Sequence, residues 1–350
     1  MEGLFLALPP EVVLHRYFQK IPNPAVRQPY NGKQDLDKLE PGLRSLLSNI
    51  QDTWNESLRQ QQAQGNGRNF HFDYVEATVP NALAFEDNGY CFIAVTIPLI
   101  ERLWHTCDQL SKSASVTEIL RVATTDQQRE ATLAALFVTQ LGFVVYHEYA
   151  HHVRGHIFRP DSQTDFWNEI PDISGGGSLK AQAREVDADG MAVYLVLTHL
   201  IDGEGRNSAL RLLGHSAAQN DAADEVLLSL FILSAGVFFY VSPPSVFDDV
   251  TLYSLTHPPH AARMNELMKS VQAWCKQNRP ALEAWLTLER FQLLMRAVEE
   301  ATLEMTRGRN WSEQTEFFST DLGAEYYRRL EEEFASLMRL TRRATEVATD

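Results

Sequence analysis

The chain has 350 residues, 44% hydrophobic and 22% charged, enough apolar material for one large globular domain or two modest ones. A formal net charge of −15 and a pI of about 5.2 give a surface that repels polyanions, which argues against nucleic-acid binding and against docking on anionic membranes. Cys91, Cys107 and Cys275 are odd in number and lack Cys-x-x-Cys spacing, which argues against a disulfide framework or a cysteine-built zinc site.

The first segment, 1–33, is proline-rich with little periodicity and reads as irregular. Its start, Met1 to Leu6, carries Glu2 where a secretory signal needs a base, so a cytoplasmic protein is expected. Residues 39–64 predict an amphipathic helix with Leu43, Leu46, Leu47, Ile50, Trp54 and Leu58 on one stripe, and Pro41 suits its first turn. Residues 69–78 alternate through Phe70, Phe72 and Tyr74, and 81–85 and 90–95 flank Asn88-Gly89, a tight-turn pair. A small antiparallel sheet of about three strands is expected there. From Ile97 the pattern is helical: 97–111, 126–158, 181–202, 222–241, 258–278, 280–306 and 321–346, with loops at 160–178 and 242–249. The apolar run Val226 to Val241 falls short of the roughly 20 residues a membrane span needs, and Pro243-Pro244 follows it, so it reads as a buried helix. The expected fold is α+β, predominantly α-helical, with three parts: residues 1–68, a site-bearing domain over 69–278, and a helical segment over 279–350.

The chemistry concentrates at His147-Glu148-Tyr149-Ala150-His151. Residues four apart on a helix lie about 40° apart on one face, so the two imidazoles can share one zinc ion. Glu148 sits to the side, where a carboxylate can take a proton from an activated water and pass it to a leaving amine. The preceding stretch, Leu133 to Tyr146, is apolar nearly all round and predicts a buried helix, so polar groups at its end need partners. His156 lies about half a turn from His147 and faces elsewhere. The third ligand is expected at Glu185, with Asp187 as its rival. Asp189, four residues on, would accept a hydrogen bond from a ligand imidazole and fix its tautomer.

His147-Glu148-x-x-His151 followed by Glu185-x-x-x-Asp189 resembles the gluzincin metallopeptidases of the HtpX and CAAX-prenyl-protease type. Thr256-His257-Pro258-Pro259 with Arg263, and Asn81-Ala82-Leu83-Ala84-Phe85, are similar to two further segments of those enzymes. The resemblance spans about residues 75–270 and implies a zincin-like core and one Zn2+ per chain. It also implies an oxyanion-stabilising His257, and an edge strand at Asn81, Ala82 and Ala84 that pairs with an extended protein or peptide substrate. Clear membrane spans, typical of that type, are lacking, so a soluble relative is expected. The alternative is a zinc-stabilised or inactive protease-like module that acts by recruiting a partner. The remaining features read more plainly: His152 and His156, four apart, flank the site or face solvent, with a second metal between them as the alternative, His215 and His260 lie on the surface, and Gly175-Gly176-Gly177 forms a flap rather than a phosphate loop.

Overall fold

The structure, a computed structural model, describes residues 8–21, 24–61, 67–157, 177–216, 220–240, 249–303, 305, 316 and 319–348. The protein is predominantly α-helical with one small sheet, an α+β architecture. It forms two compact units, one within Met1–Arg102 and His151–Ile170, the other within Leu103–Ala150 and Pro171–Asp350.

In the first unit the order is α1 (Pro10–Lys20), α2 (Pro24–Arg27), β1 (Tyr30–Lys33), α3 (Pro41–Gln61), β2 (Asn69–Ala77), β3 (Ala82–Asp87) and β4 (Tyr90–Thr96). The described part of the proline-rich start is therefore not irregular, while residues 1–7, 22 and 23 lie outside the described residues. Pro10 opens α1, where its fixed φ suits the helix and its missing N–H is not needed. Val13, Leu14 and Phe18 then form a stripe packed on Tyr30, Leu83, Phe85 and Phe92.

Among the described residues the sheet has four strands in the order β1-β2-β4-β3, and it is mixed rather than antiparallel. β3 and β4 form the expected hairpin, with Asn88 at φ 50° and Gly89 at φ 81° supplying the left-handed turn. β2, however, runs parallel to β4, with Asn69 opposite Tyr90 and Val75 opposite Thr96. Alternation marks a strand but not its direction, and here β3 itself serves as the return path between the two parallel strands.

Thr96 ties that crossover down. Its hydroxyl donates to Val79 O at 2.9 Å and accepts from Asn81 N at 2.8 Å, while its own N–H meets Asn81 O at 2.9 Å. Thr96→Val keeps the shape and leaves buried backbone groups unmatched. A loss of about 1–3 kcal/mol is expected in urea denaturation.

Along β2, β1 reaches only Val75 to Ala77, so the sheet edge lies open at Phe72. Asn55 of α3 fills it. Its Oδ1 accepts from Phe72 N at 2.8 Å and its Nδ2 donates to Phe72 O at 2.9 Å.

The second unit is helical. It contains the remainder of α4 (Ile97–Lys112), then α5 (Ala114–Leu120), α6 (Asp126–Val153) as far as Ala150, α7 (Leu179–Leu197) and α8 (Gly205–Leu212). α9 (Asp221–Tyr240), α10 (Asp249–Ser254), α11 (His260–Asn278), α12 (Pro280–Trp285), α13 (Leu288–Thr302) and α14 (Asp321–Ala348) follow. The expected single helix over 280–306 is broken because Thr287 caps α13, its side chain accepting from Arg290 N.

Every residue of α9 from Val226 to Tyr240 is buried, and Ser229 and Ser234 turn their hydroxyls back to carbonyls one turn earlier. Phe143 of α6 meets Phe231, Phe238 and Phe239 at steep ring angles. α6 and α9 are long and apolar enough to cross a membrane by length and composition, yet most of each apolar window is buried inside the protein.

Candidate metal centre

α6 is a continuous helix of 28 residues whose apolar body buries it and whose last turns carry His147, Glu148 and His151, each about 1% exposed. α7 starts at a Ser178 cap that accepts from Ala181 N, and it buries Glu185 and Asp189 on one face. His147, His151 and Glu185 each offer a donor atom, and all three atoms lie within 4.8 Å of one another. Among the described residues Asp187 is not part of this group. Two positions along the helix is roughly 200° of rotation, which turns it away from Glu185.

The spacing tests whether zinc fits. Zn–N and Zn–O bonds of about 2.1 Å at a tetrahedral angle put neighbouring donors about 3.4 Å apart. His147 Nε2 and Glu185 Oε2 are 3.3 Å apart. The donor set, two imidazoles and a carboxylate, matches catalytic zinc sites that leave one position open.

Each imidazole is also held from behind. His147 Nδ1 lies 2.9 Å from Asp189 Oδ1, and Arg263 grips the same carboxylate with Nε at 2.8 Å and Nη2 at 2.7 Å. With its Nδ1–H donated to Asp189 as a hydrogen bond, His147 turns an Nε2 lone pair toward Glu185. Burial works to raise the Asp189 carboxyl, but the Arg263 guanidinium and the His147 hydrogen bond together hold it below the ordinary carboxylate range.

His151 has a partner that helical spacing alone does not predict. α6 ends in a reversal at Gly155, φ 68°, with His156 N bonded to His151 O and Gly155 N to His152 O. This folds the His156 ring back until its Nδ1 is 3.1 Å from His151 Nδ1. A proton on His151 Nδ1, donated to His156, frees His151 Nε2 for a metal. His156 and His152 are both buried, not solvated, because this turn draws the chain inward. The glycine was the available signal, since a residue past a helix end that must adopt positive φ is usually Gly.

His257 precedes α11, with Nε2 3.1 Å from Glu185 Oε2 and Nδ1 3.0 Å from Thr256 Oγ1. Gln182, one turn before Glu185, positions it by donating to the carbonyls of Leu252 and Leu255, and Tyr326 of α14 donates in turn to Gln182. Gly177 belongs to the same brace rather than to a flap. Its N–H bonds Ser254 O, and a Cβ there would lie 2.0 Å from Leu255 O. Gly175, Gly176 and most of the 160–178 and 242–249 loops lie outside the described residues. His260 is buried on α11, and His215 is half-buried with Nε2 2.9 Å from Leu120 O, so neither is a plain surface residue. Asn81 is buried beside Tyr30, with Ala82 and Ala84 on β3, a strand at the sheet edge.

No family model matches the sequence, and no curated protein or solved structure matches it.

Proposed function

We propose that the chain is a zinc-dependent endopeptidase with His147, His151 and Glu185 as ligands and Glu148 as the catalytic base. The observation that carries this reading is the buried donor set, its His147–Glu185 pair at tetrahedral spacing, with Asp189 and His156 behind its two imidazoles. A bound zinc ion would supply Lewis-acid activation of water and of the peptide carbonyl. Glu148, beside His147 on α6, takes the proton from the attacking water and delivers it to the leaving nitrogen. His257, whose Nε2 lies 3.1 Å from Glu185 Oε2, is the side chain assigned to the developing oxyanion, a role that would require its Nε2–H to turn from Glu185 to that oxygen. β3 pairs with β4 on one side, which suits strand addition by an extended peptide. The three free, buried cysteines fit a reducing, cytoplasmic setting.

The test is N-terminal labelling of a peptide mixture incubated with the zinc-loaded chain. New N-termini are expected with the wild type and none with Glu148→Gln; equal yields from both would overturn the assignment.

The near-complete burial of the ligands also suits a second reading, a zinc-stabilised module without catalysis. Under either reading the ion binds the folded state. Chelation is therefore expected to lower Tm, and free zinc at 100 times its Kd to restore about 2.7 kcal/mol. Calorimetry with and without chelator measures this.

A further inference from the structure

We infer that the first unit holds a second divalent-metal site, built from Cys91, Glu86 and His152, and that it takes zinc through a thiolate, a carboxylate and an imidazole. Glu86 and Cys91 are directly opposed across β3 and β4, so their side chains share one face of the hairpin. His152 belongs to the last turn of α6, and its ring stands edge-on to Phe70. One donor atom from each of the three lies within 4.8 Å of the others.

The tautomer points to an ion. His152 Nε2 is 2.8 Å from Phe92 O, a carbonyl that can only accept, so the proton resides on Nε2. Nδ1 then carries a lone pair. It is buried and makes no hydrogen bond of normal length among the described residues, and its contact with Glu86 Oε1 is a long one of 3.7 Å. The buried lone pair faces the carboxylate of Glu86, which is itself open to solvent, and a cation between the two would satisfy both. The spacing suits one: Zn–S of about 2.3 Å and Zn–O of about 2.1 Å at a tetrahedral angle separate sulfur from oxygen by about 3.6 Å. Cys91 Sγ and Glu86 Oε1 are 3.6 Å apart.

Thiolate and carboxylate would neutralise a divalent ion, with the thiol proton released on binding. Arg68, with Nη1 3.5 Å from Glu86 Oε1, adds a positive charge at the rim. Arg68, Glu86 and Cys91 also line a cavity of about 630 Å³, which gives solvent a route to this side of the hairpin. The cysteine contributes without Cys-x-x-Cys spacing because the hairpin and the helix end, distant in sequence, supply the geometry. This site does not depend on the peptidase reading.

The competing arrangement is a doubly protonated His152 paired with Glu86, and cobalt separates the two. The full chain loaded with Co(II) is expected to show a near-ultraviolet thiolate-to-cobalt charge-transfer band. The band should persist in His147→Ala/His151→Ala, which removes the first site, and in Cys107→Ser and Cys275→Ser. It should vanish in Cys91→Ser. X-ray absorption on the zinc-loaded wild type gives a reading free of any folding defect in Cys91→Ser, with a sulfur neighbour expected in the zinc shell. Only nitrogen and oxygen neighbours, or a band that follows Cys107 or Cys275 instead, would overturn the site. Absence of peptidase activity from the zinc-loaded wild type, with the band present, would defeat the first reading alone.

Discussion

Glu148→Gln is expected to leave zinc bound while lowering peptide hydrolysis by about 10²–10⁴-fold, the usual contribution of a positioned general base. The amide matches the carboxylate in shape, so the buried end of α6 keeps its packing, but it cannot accept a proton from water. The ligands His147, His151 and Glu185 are untouched, and metal content should stay at the wild-type level. Measuring hydrolysis and zinc on the same preparation separates the two readings. Unchanged hydrolysis would remove Glu148 from the chemistry. Loss of hydrolysis with zinc intact would exclude the module reading, in which Glu148 has no chemical task. A cellular effect that survives the substitution would favour that module instead.

Which parts were legible in the sequence follows from the range of the forces that set them. α6 and α9 could be read because a helix apolar all round has nowhere to go but the interior. The hairpin could be read because Asn88-Gly89 accepts positive φ at both positions. The parallel pairing of β2 with β4 could not, since side-chain alternation is the same in either direction. β1 escaped notice because it is four residues long and bent by Gly32 at φ 103°.

At the candidate centre, His147, His151, Glu185 and Asp189 were nameable because each pair sits four apart on one helix, a local regularity. His156 was not, since its approach to His151 depends on a backbone reversal. The cluster of Glu86, Cys91 and His152 was invisible for a stronger reason. Cys91 and His152 are far apart in sequence, and only tertiary folding brings them together.

Arg263→Ala is expected to destabilise the protein by about 3–5 kcal/mol and to weaken zinc binding by about 10–100-fold. Arg263 and Asp189 are each about 1% exposed, and the guanidinium holds both carboxylate oxygens while lying 4.6 Å from the Phe239 ring centroid. Removing it strands a buried negative charge, so the cost is mainly that of the uncompensated carboxylate, not of the lost contact. The zinc effect follows because Asp189, without its anchor, no longer fixes the His147 tautomer. Arg263→Lys restores the charge but not the two-pronged geometry, and intermediate stability is expected. The sharper comparison is Arg263→Met combined with Asp189→Asn. That pair removes both charges and should cost less in urea denaturation than Arg263→Ala alone. It should still weaken zinc binding, because an amide fixes the His147 tautomer less firmly than a carboxylate. If Arg263→Ala cost less than about 1 kcal/mol, Asp189 would have to be protonated or solvated in the folded protein, and its role behind His147 would fall with it.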